Sequence, residues 1–129
     1  MYAVTEIREE HVIIKRRLRA ILGMFGTVVK CREISDSLKE FENFWTRHEE
    51  KEEKYFDLFK KNGKKFPYHK TLVSEHKQLK GHWKVLQGFL ENKSDLELEI
   101  ALDTDGRMLI EKFLKHVDSE ERYFDEYFN

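Results

Sequence analysis

The sequence predicts an all-α protein, an up-down-up-down antiparallel four-helix bundle that takes up residues 1–129 as one domain. One Pro and six Gly in 129 residues, with 38% charged and 40% hydrophobic side chains, favour helices with solvated outer faces over a sheet rich in turns. Along four stretches the apolar residues recur at alternating steps of three and four, the period of a buried helical stripe. The chain also repeats itself, since HEEKEEKYFD at 48–57 returns as HVDSEERYFD at 116–125. Short connections between four such helices favour antiparallel neighbours.

The first helix spans Thr5 to about Phe25, with Ile7, His11, Ile14, Leu18, Ile21 and Phe25 on its stripe. Gly23, Gly26 and the β-branched run after them break the pattern, so residues 26–34 read as a connection, with Cys31 an ordinary loop or helix-end thiol. The second helix opens at Ser35 or Asp36, either a suitable N-cap, and carries Leu38, Phe41, Trp45, His48, Glu52, Tyr55 and Phe59. It ends at Asn62-Gly63, with Lys60 and Lys61 at the negative end of its dipole, so KKNGKK reads as a solvated helix end rather than an anion site. Pro67 suits the first turn of a third helix, whose stripe is His69, Leu72, His76, Leu79, Trp83, Leu86 and Leu90. Ser94 and Glu97 form a capping box for a short helix through Ile100. The run DTDG at 103–106 lacks the distal carboxylate of a calcium loop and reads as a turn and N-cap. The last helix runs from there to the C-terminus with Leu109, Phe113, His116, Glu120, Tyr123 and Tyr127 inward.

Several function classes are disfavoured. A formal charge of −1 gives no general attraction to nucleic acid or to an anionic membrane. The single Cys makes no internal disulfide, and the first residues carry no apolar signal-peptide stretch, so a cytoplasmic location is expected. No run approaches the roughly 18 apolar residues needed to cross a bilayer.

The anomaly is polar. A stripe takes roughly two positions in seven, yet five of the six histidines, His11, His48, His69, His76 and His116, fall on stripes together with Glu52 and Glu120. A lone stripe histidine is usually a hydrogen-bonded core residue, and His-x-x-x-Glu on a charged helix is usually an ion pair. Buried together without partners, these groups would cost several kcal/mol each, so they must satisfy one another. With antiparallel helices, His11, His48, His76 and His116 fall in one layer, with Glu52 and Glu120 one turn nearer the end that holds the connection between the second and third helices. Glu10-His11 and Glu75-His76 match as well, so the chain reads as two approximate halves 65 to 68 residues apart. Two halves imply two equivalent metals, each with two imidazoles, bridged by both carboxylates; this set suits iron or manganese, and zinc less well.

At these residues the sequence resembles the hemerythrin-like, or HHE cation-binding, family over nearly its whole length. The motifs are Glu10-His11, His48-x-x-x-Glu52-Glu53, Glu75-His76 and His116-x-x-x-Glu120-Glu121. The resemblance implies a four-helix bundle with two iron ions in an oxo- or hydroxo-bridged non-haem centre that binds dioxygen or responds to iron and redox state. Two departures stand out. Oxygen-carrying members have a second histidine one turn before the third-helix ligand, where this chain has Leu72, and an Asp five residues after the last-helix histidine, where it has Glu121. Glu120 is therefore the better bridge, and Glu121 is expected in solvent. His69 lies two turns, about 10.5 Å, from His76 and is a weaker ligand candidate; a supporting role beside Tyr55 and Tyr123 suits it better.

The expected metal ligands are thus His11, His48, Glu52, His76, His116 and Glu120. The expected function is binding of dioxygen or another small diatomic or peroxide ligand, or sensing of oxygen or iron, with a separate electron-transfer or signalling protein as partner. An unfilled coordination position also admits a redox enzyme that reduces peroxide or nitric oxide. A ferroxidase or iron-storage role is a further alternative, although ferritin-like helices use Glu-x-x-His rather than His-x-x-x-Glu.

Overall fold

The computed structural model describes residues 2–26, 31–64, 66–91 and 94–128. Helix α1 spans Tyr2–Leu22, α2 Cys31–Lys61, α3 His69–Leu90, α4 Asp95–Ala101 and α5 Arg107–Phe128, with a π-helical turn at Leu102–Gly106 joining the last two. No strand occurs among the described residues. Helix α1 packs against α2 and α5, and α3 packs against α5 and α2, which makes a helical bundle. No described helix is long and apolar enough to cross a membrane.

The stripes face inward over most of their length, but their ends do not: Phe25, Phe59, His69 and Tyr123 are only partly buried, and Tyr127, expected inward, is exposed near the end of the last helix. Four boundaries also differ. Helix α1 stops at Leu22, short of Phe25, in a turn where Gly26 has φ 73°. Of the expected 26–34 connection, 27–30 lie outside the described residues and Cys31–Ile34 already belong to α2. Ile34 sits one turn before Leu38 on the same stripe and is buried, so packing extends the helix past Ser35 and Asp36, neither of which caps it. Pro67 lies in the turn ahead of α3, whose first residue is His69, and not in the first helical turn.

The fourth difference is DTDG, which does not interrupt the chain. Ser94 caps α4 by accepting from the backbone N–H of Glu97 at 3.3 Å, and helix then continues through the π-turn into α5. Asp103 and Arg107 pair at 2.8 Å, and the Thr104 hydroxyl donates to the Ile100 carbonyl at 2.8 Å. These polar groups face outward while Leu98, Leu102, Gly106 and Leu109 are buried. A wider turn keeps the apolar residues on both sides of it facing the core.

Helix α2 ends as expected. Gly63, at φ 76°, donates to the Lys60 carbonyl at 3.0 Å, and Lys64 donates to that of Phe59 at 3.2 Å, the paired bonds of a Schellman motif.

The apolar core is divided. The larger cluster includes Ile14, Leu18, Trp45, Leu79, Phe113 and Val117; the smaller includes Ile7, Tyr55, Phe56, Leu72 and Phe124. Along α1 and α3 the chain passes from the smaller cluster to the larger, and along α2 and α5 it passes the other way. On every one of these helices, buried polar residues lie between the two.

Candidate metal centre

The layer between the clusters consists of His11, His48, Glu52, His76, His116 and Glu120, each no more than 3% exposed. All six arrive by the stripe periodicity that buries their apolar neighbours. The edge-to-face ring pairs match: His11 and His48 lie 4.8 Å apart, and His76 and His116 lie 4.9 Å apart. Trp45 closes the large-cluster side, with its ring 5.6 to 5.9 Å from those of His48, His116 and His76. Phe124 stacks on His11 at 5.8 Å from the other side.

Glu52 and Glu120 lie among the Nε2 atoms. Glu52 oxygens are 3.0 Å from His48 Nε2, 3.3 Å from His11 Nε2 and 3.4 Å from His76 Nε2. A Glu120 oxygen is 2.5 Å from His116 Nε2 and 3.9 Å from His11 Nε2. Ligand atoms of His11, His48, Glu52 and Glu120 all lie within 4.8 Å of one another, as do those of Glu52, His76, His116 and Glu120. The two groups share both carboxylates.

The other ring nitrogens are held from outside. Glu10 on α1 bonds His48 Nδ1 on α2 at 2.7 Å, and Glu53 on α2 bonds His76 Nδ1 on α3 at 3.0 Å. Glu75 on α3 bonds His116 Nδ1 on α5 at 2.8 Å, and Glu121 on α5 bonds His11 Nδ1 on α1 at 2.8 Å. Each helix gives a carboxylate to the next and receives one from the last, so the ring closes. A carboxylate at Nδ1 fixes that nitrogen as the N–H donor and leaves the Nε2 lone pair free.

Of the four Nε2 atoms, that of His11 has a partner, a Glu52 oxygen at 3.3 Å. The Nε2 atoms of His48, His76 and His116, Glu52 Oε1 and both Glu120 oxygens are buried without a hydrogen-bond partner. Buried polar atoms are nearly always paired, so six such atoms facing one another fit a bound cation. Burial alone would depress each imidazole, but the carboxylates outweigh it. Glu121 and Glu52 push His11 up to about 10, Glu52 and Glu10 push His48 up to about 9, and Glu120 and Glu75 push His116 up to about 10. Burial and the neighbouring Glu52 raise Glu120 to about 7, whereas the histidines hold Glu52 well below the carboxylate range against the same burial. A metal ion binding here would have to displace protons from these same nitrogens and oxygens.

A family model described as the hemerythrin HHE cation binding domain matches residues 2–127. The chain belongs to this hemerythrin HHE family. Membership assigns cation binding to the domain, and the buried His/Glu groups are where this HHE chain could bind one. Comparison with curated proteins and with solved structures gives no match.

The remaining expected positions lie elsewhere. His69 begins α3, with Nε2 3.8 Å from Asp57 and its ring 5.4 Å from that of Phe56, in neither four-residue group. Tyr55 belongs to the smaller apolar cluster, and Tyr123 stacks on Tyr68 at 3.7 Å. Glu121 is not left to solvent: it holds His11 and also accepts from Arg8 at 3.3 Å. The outer ring of Glu10, Glu53, Glu75 and Glu121 is what the sequence reading missed. Its signal was the acid beside each motif residue, in Glu10-His11, Glu52-Glu53, Glu75-His76 and Glu120-Glu121.

A surface cavity of about 300 Å³ between α3 and α5, lined by Gln78, His82, Lys112 and Lys115, reaches the layer at Glu75 and His116.

Proposed function

We propose that this single-domain chain is a non-haem di-iron protein that binds dioxygen, or senses oxygen or iron, at the buried His/Glu layer. The observation that carries the reading is the convergence of six buried, unpartnered nitrogen and oxygen atoms on one space. In this reading His11 and His48 would hold one ion and His76 and His116 the other, with Glu52 and Glu120 within reach of both. Imidazole with carboxylate suits iron, and manganese or zinc fits less well. Bound iron would supply the reversible redox chemistry that dioxygen uptake needs.

The chain's own residues do the rest. The outer carboxylates keep Nδ1 protonated and aim Nε2 inward, while Trp45 and Phe124 limit water on the two sides. Leu72 and Ile7, both fully buried, occupy equivalent places one turn before His76 and His11. Neither can ligate, which leaves coordination open to a small molecule. That open position also favours the second reading, a redox enzyme acting on peroxide or nitric oxide. The up-down-up-down antiparallel order belongs to the proposal too, supported by the opposite passage of α1 and α3 against α2 and α5 between the two clusters.

Metal analysis and the optical spectrum of aerobically purified protein test it. About two irons per chain with near-ultraviolet bridge bands are expected; a folded, metal-free protein that refuses iron would overturn it. Spectra that reverse as oxygen is cycled separate binding from enzymatic turnover, which steadily consumes peroxide when a reductant is present.

A further inference from the structure

The ring of outer carboxylates is closed, but its members are not equally free. Glu10 gives Oε1 to His48 and Oε2 to Lys51 at 2.7 Å. Glu121 gives Oε2 to His11 and Oε1 to Arg8 at 3.3 Å. Both carboxylates behind the His11–His48 pair are therefore shared with a cation. Behind the other pair the situation differs. Glu53 and Glu75 bond His76 and His116, and neither forms an ion pair with a Lys or Arg among the described residues. Lys115 acts on Glu75 only through space. Glu49 adds a further carboxylate on this side, 4.0 Å from His76 Nδ1.

A carboxylate that also faces a cation has less negative charge to offer an imidazole N–H, and outer partners of this kind are worth 10- to 100-fold in metal affinity. Glu52 and Glu120 belong to both four-residue groups, with Glu52 nearer His48 and Glu120 nearer His116, so the halves differ most in their outer carboxylates. We propose that the two halves of the centre are unequal: a first divalent cation is held by the His76–His116 half, and the His11–His48 half fills second. This rests on the reading that the six buried groups hold two metals. Arg8 and Lys51 are, on this account, positioning residues that weaken one half through Glu121 and Glu10.

Two-step binding would not prove it, because two ions repel one another even in a symmetric site. Location decides. Metal-free protein with ¹⁵N-labelled histidine, its rings assigned, is titrated with Co(II), and the hyperfine-shifted ring resonances are followed by NMR. At one equivalent, His76 and His116 are expected to be occupied severalfold over His11 and His48, less than the roughly tenfold or more that outright loss of an outer partner costs. The double variant Arg8→Met/Lys51→Met should bring the two halves close to parity. An even split in the natural protein, or preference for His11 and His48, overturns the inference, as does an unchanged ratio in a folded double variant. If the double variant does not fold, the natural protein's ratio decides alone. If none of the four rings responds, the two-metal reading itself has failed, and the inference with it.

Discussion

Glu53 accepts from Nδ1 of His76 at 3.0 Å, while its chain neighbour Glu52 reaches Nε2 of the same ring at 3.4 Å. Consecutive residues of α2 thus face the two nitrogens of one α3 histidine, one from outside the layer and one from within it. The outer contact is the less obvious and can be tested first. Glu53→Gln keeps a hydrogen-bond acceptor but removes the charge. Metal affinity, measured by competition with a chelator, should fall about 10-fold or more with helical content unchanged. Equal affinity would mean that the outer ring is merely structural.

Glu52 and His69 give opposite expectations on neighbouring helices. Glu52 is fully buried and lies within 3.4 Å of three imidazoles, so Glu52→Ala should remove most metal per chain. His69→Ala, at a partly exposed ring beside Phe56 and Asp57, should keep it. Metal content after gel filtration distinguishes them, and loss of metal in both would place His69 in the centre.

Two glycines should respond with opposite signs. At Gly106 an added Cβ meets Leu102 Cδ2 at an ordinary 3.5 Å, in a helical backbone. Gly106→Ala should therefore stabilise the fold by about 0.4–1 kcal/mol through the unfolded chain. Gly63, at φ 76°, has open space but a left-handed backbone, so Gly63→Ala should cost about 1–2 kcal/mol. Urea midpoints at constant m-value report both.

Cys31 should react slowly. Partial burial, with the carboxylates of Glu99 and Asp95, pushes its thiol up from the ordinary value. Less thiolate is then present at any given pH, so the alkylation rate should inflect at higher pH than for free cysteine. Added salt should narrow the difference by screening the two carboxylates. A rate equal to that of free cysteine at pH 8 would contradict this.

What the sequence made legible follows the helical period. His11, His48, Glu52, His76, His116 and Glu120 share stripes with apolar neighbours, and burying those neighbours buries them too. The outer carboxylates were harder to read, because Glu10, Glu53, Glu75 and Glu121 lie off the stripes and look like ordinary solvated acids. Their partners are set by which helix stands beside which, and that is not written locally. The start of α2 was missed because good capping residues at Ser35 and Asp36 were outweighed by burial of Ile34. DTDG has the composition of a turn, yet Asp103 and Thr104 find partners in Arg107 and Ile100 within a wide helical turn.

The ring of carboxylates has one more property. Exchanging α1 and α2 for α3 and α5 maps the Glu10–His48 contact onto Glu75–His116, and Glu53–His76 onto Glu121–His11. A lone helical hairpin bearing one Glu-His and one His-x-x-x-Glu-Glu would lack the ring, but two copies paired about a two-fold axis would complete it. The present chain therefore has the layout of a homodimer fused into one polypeptide. Fusion also removes the need for identical halves, so Arg8 and Lys51 can act on one side with no counterpart on the other.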